Sequence, residues 1–206
     1  EQAIWLAAVL TVLAFLLAVA SGAGWVLAVY VLGSLAYSGW LKTLKAVDLM
    51  ALVGLYCLRL LAGGQATDIP VSGWLLAYGA TIFASLALAK RSAELGDAAT
   101  GMLPLPRRRG YRVQDRTVLT LLGLIAALGS EVVLMLYIPD AQARELYDQP
   151  AWLMLGGGVV LLWLLRVWHL VRQGRLHTDP IVFALKDPVS LGAGVLVLTM
   201  FALASA

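Results

Sequence analysis

The fold is decided by stretches such as residues 118–138, VLTLLGLIAALGSEVVLMLYI, in which a single carboxylate stands among uncharged residues. A bilayer core is crossed by about 20 helical residues, with a range of about 17–25. A transmembrane strand would instead alternate in polarity over about 10 residues. Because the run is long and rich in leucine and alanine, it predicts a membrane-spanning helix.

The composition of the whole chain agrees with this interpretation. Of its 206 residues, 61% are hydrophobic and 13% are charged, whereas a soluble domain carries about 25% charged residues. So few charges cannot cover a water-facing surface, and so apolar a chain is not disordered. The single cysteine, Cys57, excludes an intrachain disulfide and a zinc site built on cysteines.

Apolar runs of this kind occur seven times and predict seven transmembrane helices in an all-α, multi-pass bundle. The second and third runs are short, so they need flanking residues or some tilt to cross the bilayer. Gly156-Gly-Gly158 in the sixth run is typical of close helix packing. The runs are residues 3–20, 25–40, 47–62, 71–89, 118–138, 152–170 and 189–206.

The connections between the runs predict the orientation. Twelve lysines and arginines lie in residues 41–46, 90–117 and 171–188, and only Arg144 lies in the intervening connections. Cytoplasmic loops of membrane proteins carry an excess of these residues. We therefore expect an integral inner or plasma membrane protein with Glu1 in the cytoplasm and Ala206 outside. Basic residues spread between apolar blocks also argue against a nucleic-acid partner.

Polar side chains collect on the predicted cytoplasmic side, beginning around the third run. Asp48 and Arg59 are 11 residues apart, so they share a helix face, about 16 Å apart along its axis, with Tyr56 between them. An arginine inside a membrane costs at least ~2.5 kcal/mol and normally faces a polar cavity. The alternative is a structural arginine bonded to carbonyls of a neighbouring helix.

Two further polar stretches follow the fourth run. In the first, Lys90 is spaced to pair with Glu94 along a helix, although Lys90 and Arg91 together would also hold a phosphate or anchor the helix end. In the second, the arginines at 107–109 would bind anionic lipid or clamp a diphosphate. The intervening residues 95–106 are long for a helix connection and favour a functional loop.

In chain order, these motifs resemble those of the UbiA-type intramembrane prenyltransferase superfamily. They are Tyr37-Ser-Gly-Trp-Leu-Lys42, Asp48, Leu58-Arg-Leu-Leu-Ala-Gly-Gly64, Leu88-Ala-Lys-Arg-Ser-Ala-Glu94-Leu and Gly110-Tyr-Arg. Within the superfamily, the chain is most similar to decaprenyl-phosphate phosphoribosyltransferases and their bacterial relatives. The family fold has nine helices with its active site at the cytoplasmic end. The resemblance implies that the seven runs are helices three to nine of one membrane domain, residues 1–206.

The resemblance also implies a reaction. A membrane transferase of this branch moves a 5-phosphoribosyl group from a diphosphate donor to a polyprenyl phosphate, with Mg²⁺ holding the diphosphate. One alternative is prenyl transfer from a polyprenyl diphosphate to an aromatic or other acceptor, and another is a membrane transporter or scaffold without activity. A transporter needs polar groups along a path to both faces. The predicted outer half has few besides Glu131, which favours the enzyme.

The predicted site residues fall into three groups. The catalytic candidates are Tyr37, Asp48, Tyr56 and Arg59; the candidates for substrate or phosphate binding are Lys42, Lys45, Lys90, Arg91, Tyr111 and Arg112; and the candidate Mg²⁺ ligands are Glu94, Asp97 and Asp115. The first acidic motif of the family, Asn-Asp-x-x-Asp-x-x-x-Asp, does not occur in the sequence. We therefore expect Glu1 to follow directly after that motif, and this chain alone to be incomplete and inactive.

Overall fold

The computed structural model describes residues 5–6, 15, 19–20, 22–101, 110–176 and 179–205. Within these ranges every regular element is helical, which confirms the all-α class. The first predicted run, 3–20, lies almost entirely outside the described residues. The helices are α1 (Gly24–Gly39), α2 (Val47–Thr67), α3 (Gly73–Ala99), α4 (Arg116–Tyr137), α5 (Ala141–Leu146), α6 (Ala151–Arg172), α7 (Pro180–Lys186) and α8 (Pro188–Ala204), with 3-10 turns at Leu41–Thr43 and Val113–Asp115.

Among the described residues, four helices are long and apolar enough to cross a membrane: α2, α3, α6, and α4 together with the 3-10 turn before it. A fifth span results if α7 and α8, which meet at a bend of 85°, count as one. Helix α1 has 16 residues and is short for a bilayer core. The described part of the chain is therefore a bundle of apolar helices suited to a membrane, and the predicted count of seven spans is not confirmed.

Helix α3 differs most from its predicted boundaries. The sequence predicted a connection from Lys90 onward, but the helix continues to Ala99. Its first turn is capped by Ser72, whose Oγ accepts a hydrogen bond from Leu75 N–H at 3.1 Å. Charged residues do not end the helix because neighbouring elements supply partners for them, including an acidic partner for Lys90.

The core of the bundle lies where α3, α4 and α6 meet. Trp168 of α6 is 1% exposed and packs so closely on Gly123 of α4 that a methyl group there would overlap the indole. Trp168 Nε1 donates to Ser85 Oγ at 2.9 Å, and Ser85 donates onward to the carbonyl of Gly123 at 2.8 Å. The buried indole thus has the polar partner that it requires.

One glycine of the triplet in α6, Gly157, makes a close helix contact. A Cβ atom at Gly157 would overlap Leu134 of α4 and approach the carboxylate of Glu131. Small residues let two helix backbones approach closely, so Gly157 confirms the predicted close packing of the sixth run, and the structure shows that its partner is α4.

The predicted cytoplasmic connections meet at one end of the bundle, which we call the polar end. The contacts that join them are the ion pairs Lys45–Asp115 (2.9 Å) and Lys90–Asp179 (2.5 Å) and the hydrogen bond from Arg116 to the carbonyl of Val171 (3.2 Å). This convergence agrees with the alternation of charge along the sequence. The side of the membrane on which the polar end lies stays a prediction.

Candidate functional site

An ion pair buried between α2 and α3 forms the centre of the polar end. Asp48, in the first turn of α2, is 0% exposed, and Arg91 of α3 is 2% exposed. Arg91 Nε donates to Asp48 Oδ2 at 3.0 Å. Charges buried so deeply are retained only when they are paired and their remaining polar atoms are hydrogen-bonded.

Three further side chains complete these bonds. Arg91 donates from one terminal nitrogen to Glu94 Oε2 at 2.6 Å and from the other to the Tyr37 hydroxyl at 3.3 Å. The Tyr111 hydroxyl donates to Asp48 Oδ1 at 2.7 Å. These five residues are called the buried cluster below. Its members come from α1, α2, α3 and the segment before α4, so four distant parts of the chain converge on one charge pair.

The backbone at Ala46 helps to position Asp48 in the buried cluster. Ala46 has a φ of 69°, in the left-handed region that costs a residue with a Cβ roughly 1–2 kcal/mol. Its N–H donates to the Tyr111 hydroxyl at 3.0 Å, which in turn donates to Asp48. Burial, together with the hydrogen bond to Asp48, raises the pKa of Tyr111 to about 12. The phenol therefore keeps its proton at neutral pH and acts as the donor.

An accessible cation lies beside the buried cluster. Lys45 is exposed, pairs with Asp115 at 2.9 Å, and holds its Nζ 5.8 Å from the ring centroid of Tyr111. Asp115 also accepts from the backbone N–H of Arg112 at 2.8 Å. Hydrogen bonds from charged donors to phosphate oxygens are among the strongest in proteins. Lysines and arginines at this end of the bundle, which we call the cationic rim, therefore suit an anionic ligand. The predicted cations that are at least partly exposed here are Lys42, Lys45, Lys90 and Arg112.

Two predicted roles differ from what the structure shows. Arg91 was predicted to contact phosphate, but it is buried and donates to three protein acceptors, which favours a positioning role. The spacing of Lys90 and Glu94 allows them to pair, but the two side chains take other partners. Lys90 pairs with Asp179 and Glu94 with Arg91, because these partners complete contacts between elements.

Arg59 and Tyr56 lie apart from the buried cluster, further along α2. Arg59 donates to the Tyr30 hydroxyl of α1 from Nε (3.1 Å) and from a terminal nitrogen (2.6 Å). Its guanidinium lies 4.9 Å from the ring centroid of Tyr56, and Tyr56 stacks on Phe83 of α3 at 4.5 Å. The partners of Arg59 are thus a phenol and an aromatic ring rather than the backbone carbonyls that one interpretation predicted.

The described residues do not fit the predicted Mg²⁺ site. Within them, no three side chains of histidine, cysteine, aspartate or glutamate come together to hold a metal ion. Glu94 is bonded to Arg91, Asp115 is bonded to Lys45, and Asp97 is 5% exposed on α3. Because Mg²⁺ demands a near-octahedral set of oxygen ligands, the magnesium site stays a prediction from the resemblance alone.

Two acidic residues that the sequence analysis missed organise the last connection. Asp179 pairs with Lys90 and caps α7 by accepting from Ile181 N–H at 3.0 Å. Asp187, between α7 and α8, accepts from both terminal nitrogens of Arg166 at 2.8 and 3.0 Å. A signal for both was present, because Asp-Pro occurs at 179–180 and 187–188. An aspartate followed by proline is typical of a helix N-cap and first helical position.

Comparison with known proteins adds two relatives. No protein-family model matches the sequence. The chain is 36% identical over 180 residues to the uncharacterized protein y4nM of Sinorhizobium fredii, which covers 87% of this chain and 35% of that protein. It is 32% identical over 165 residues to the nodulation protein NoeC of Azorhizobium caulinodans, which covers 79% of this chain and 53% of NoeC. The chain thus spans about a third of one relative and about half of the other.

Proposed function

We propose that the chain is the membrane part of an enzyme that transfers a group from a diphosphate donor to a polyprenyl phosphate at its polar end. The observation that supports this most is the buried cluster, assembled from four segments, with the accessible Lys45 over the ring of Tyr111. A buried ion pair adds little to stability, because desolvating its charges costs several kcal/mol per ion. A bundle that only had to fold would be served equally well by apolar side chains at Asp48 and Arg91.

The proposed chemistry follows from where charge develops. When the C–O bond of a diphosphate donor breaks, negative charge grows on the leaving group, and preorganised positive groups lower the barrier. In this proposal Lys42, Lys45 and Arg112 bind the diphosphate. Arg91 holds the carboxylates of Asp48 and Glu94 in place and does not itself contact the donor.

The donor is assigned by the resemblance, which favours 5-phosphoribosyl diphosphate over a polyprenyl diphosphate. Both share the diphosphate that the cationic rim would bind, and both pass through a centre with cationic character. That centre is an oxocarbenium ion in the first case and an allylic cation in the second. The ring faces of Tyr37 and Tyr111, at the edge of the buried cluster, suit either of them. The name of the relative NoeC states a process and not a reaction, so it does not choose between the donors.

A transfer assay tests the proposal. Membranes from cells that express the complete reading frame are incubated with decaprenyl phosphate and radiolabelled 5-phosphoribosyl diphosphate. A parallel sample receives labelled polyprenyl diphosphate and an aromatic acceptor. We expect label from the first donor in the lipid extract, and its loss in Asp48→Asn but not in Asp148→Asn, an exposed aspartate in a connection predicted to lie outside. Transfer from neither donor, at normal expression, would favour the transporter or scaffold.

A further inference from the structure

A narrow cavity of about 40 Å³ lies between α2, α3 and the start of α7, and we call it the slot. Leu52 and Tyr56 of α2 and Phe83 of α3 form its apolar wall, while Lys90 and Asp179 lie at its polar end. Phe83 and Lys90 are seven residues apart on one helix, which is about 10.5 Å along the axis. The slot therefore leads from the polar end towards the apolar middle of the bundle.

The polar end of the slot is closed by an ion pair that is itself accessible. The side chains of Lys90 and Asp179 are 36% and 32% exposed, in contrast to the fully buried pair of Asp48 and Arg91. Burial would raise the pKa of Asp179, but hydrogen bonds from Lys90 and from Ile181 N–H, and nearby positive charges, lower its pKa below the usual value. Asp179 is therefore ionised at neutral pH and neutralises Lys90.

A carboxylate on a lysine occupies the place that a phosphate oxygen would take, because both are charged acceptors for the same ammonium donor. A dianionic phosphate and the charged Asp179 repel each other, so one excludes the other. Ion pairs that water reaches contribute little to stability, and this pair is about a third exposed, so its carboxylate is readily exchanged. The other end of α7 is held independently, by Asp187 on Arg166.

We propose that the slot binds a phosphate-headed lipid, whose phosphate replaces the carboxylate of Asp179 on Lys90. The first part of the lipid chain lies along Tyr56 and Phe83. The assignment of this lipid as the acceptor rests on the proposed transferase function. A soluble phosphate gains nothing from an aromatic wall, whereas a lipid buries its chain against one. The slot is small, so the rest of the chain lies along the exposed apolar surface of the bundle.

Lipid binding is measured on the purified full-length protein by native mass spectrometry, with undecaprenyl phosphate, undecaprenol or inorganic phosphate added. We expect undecaprenyl phosphate to bind, undecaprenol to bind weakly, and inorganic phosphate not to displace the lipid. Asp179→Asn keeps the helix cap but removes the competing charge, so we expect roughly two- to fivefold tighter binding of undecaprenyl phosphate. Lys90→Gln should lose the preference for the phosphate, and Lys90→Arg should keep it. Asp148→Asn removes the same charge away from the slot and should bind like the wild type.

Other results would contradict the slot, the transferase or both. Weaker binding in Asp179→Asn, or wild-type binding in Lys90→Gln, would show that the slot does not hold the phosphate. Displacement of the lipid by inorganic phosphate would mean a site for soluble phosphate. Lipid bound at the slot without any transfer would leave the slot standing while the transferase proposal fails. Transfer with an unchanged KM for the lipid in Asp179→Asn and Lys90→Gln would support the transferase and contradict the slot.

Discussion

Arg91 donates to Asp48, Glu94 and Tyr37 at once, so the buried cluster depends on one side chain. In Arg91→Met, Asp48 becomes an unpaired buried charge, and losing one partner of such a pair costs about 3–5 kcal/mol. In Arg91→Met/Asp48→Leu no charge is stranded at position 48, so we expect thermal unfolding in detergent to recover most of the loss. Additive losses in this double-mutant cycle would show that the pair is not coupled.

Glu131 presents the opposite situation, because its Oε2 is buried without a hydrogen-bond partner among the described residues. A buried polar atom left unsatisfied costs about 1–3 kcal/mol, so Glu131→Met should raise the melting temperature. Glu145→Met, at an exposed position, is the control and should change stability by no more than about 0.5 kcal/mol. A lower melting temperature in Glu131→Met would mean that the carboxylate is satisfied in the membrane.

At the scale of the element, the packing of α6 on α4 distinguishes glycines that the sequence presents as equivalent. A Cβ at Gly157 would overlap Leu134, whereas nothing lies within 4 Å of a Cβ at Gly158. Gly157→Ala should therefore destabilise the protein by about 1–3 kcal/mol through overpacking. Gly158→Ala should be neutral or stabilise it by up to ~1 kcal/mol, because alanine favours a helix interior. Equal unfolding temperatures for the two variants would contradict the close contact at Gly157.

Some helices are predictable from apolar runs along their whole length and others only in part. Leucine- and alanine-rich runs are enough to predict α2, α4 and α6, because an apolar helix needs no partner to be recognised. The last turns of α3 are not predictable in the same way. The charge of Lys90 predicts a water-facing connection, because nothing in the sequence marks a distant partner for it. In the fold, Asp179 is that partner.

For the whole molecule, the alternation of basic residues was sufficient to predict that three connections meet at one polar end. The individual pairings were not predictable, because each joins residues that are far apart in the chain and meet only in the fold. Lys90 and Asp179 are 89 residues apart in the chain, and Tyr30 had no signal that marked it as the partner of Arg59. Residue types thus predict where polar chemistry collects, whereas tertiary geometry decides whether a cation such as Arg91 is buried or accessible.

The orientation of the whole bundle is tested by labelling. Helices α2 and α3 are consecutive candidate spans, so we expect their C-terminal residues, Thr67 and Ala99, to lie on opposite sides of the membrane. Lysines and arginines concentrate in the connections at the polar end, where Ala99 lies, and such loops stay in the cytoplasm. In a background with Cys57→Ser, a membrane-impermeant maleimide should label Thr67→Cys in intact cells. Ala99→Cys should react only after the membrane is opened.

Labelling of Ala99→Cys alone in intact cells would place the polar end outside, and labelling of both would show that α3 does not cross. With the polar end outside, a donor made in the cytoplasm would not reach Lys42 and Lys45, and the proposed transferase would lose its substrate supply.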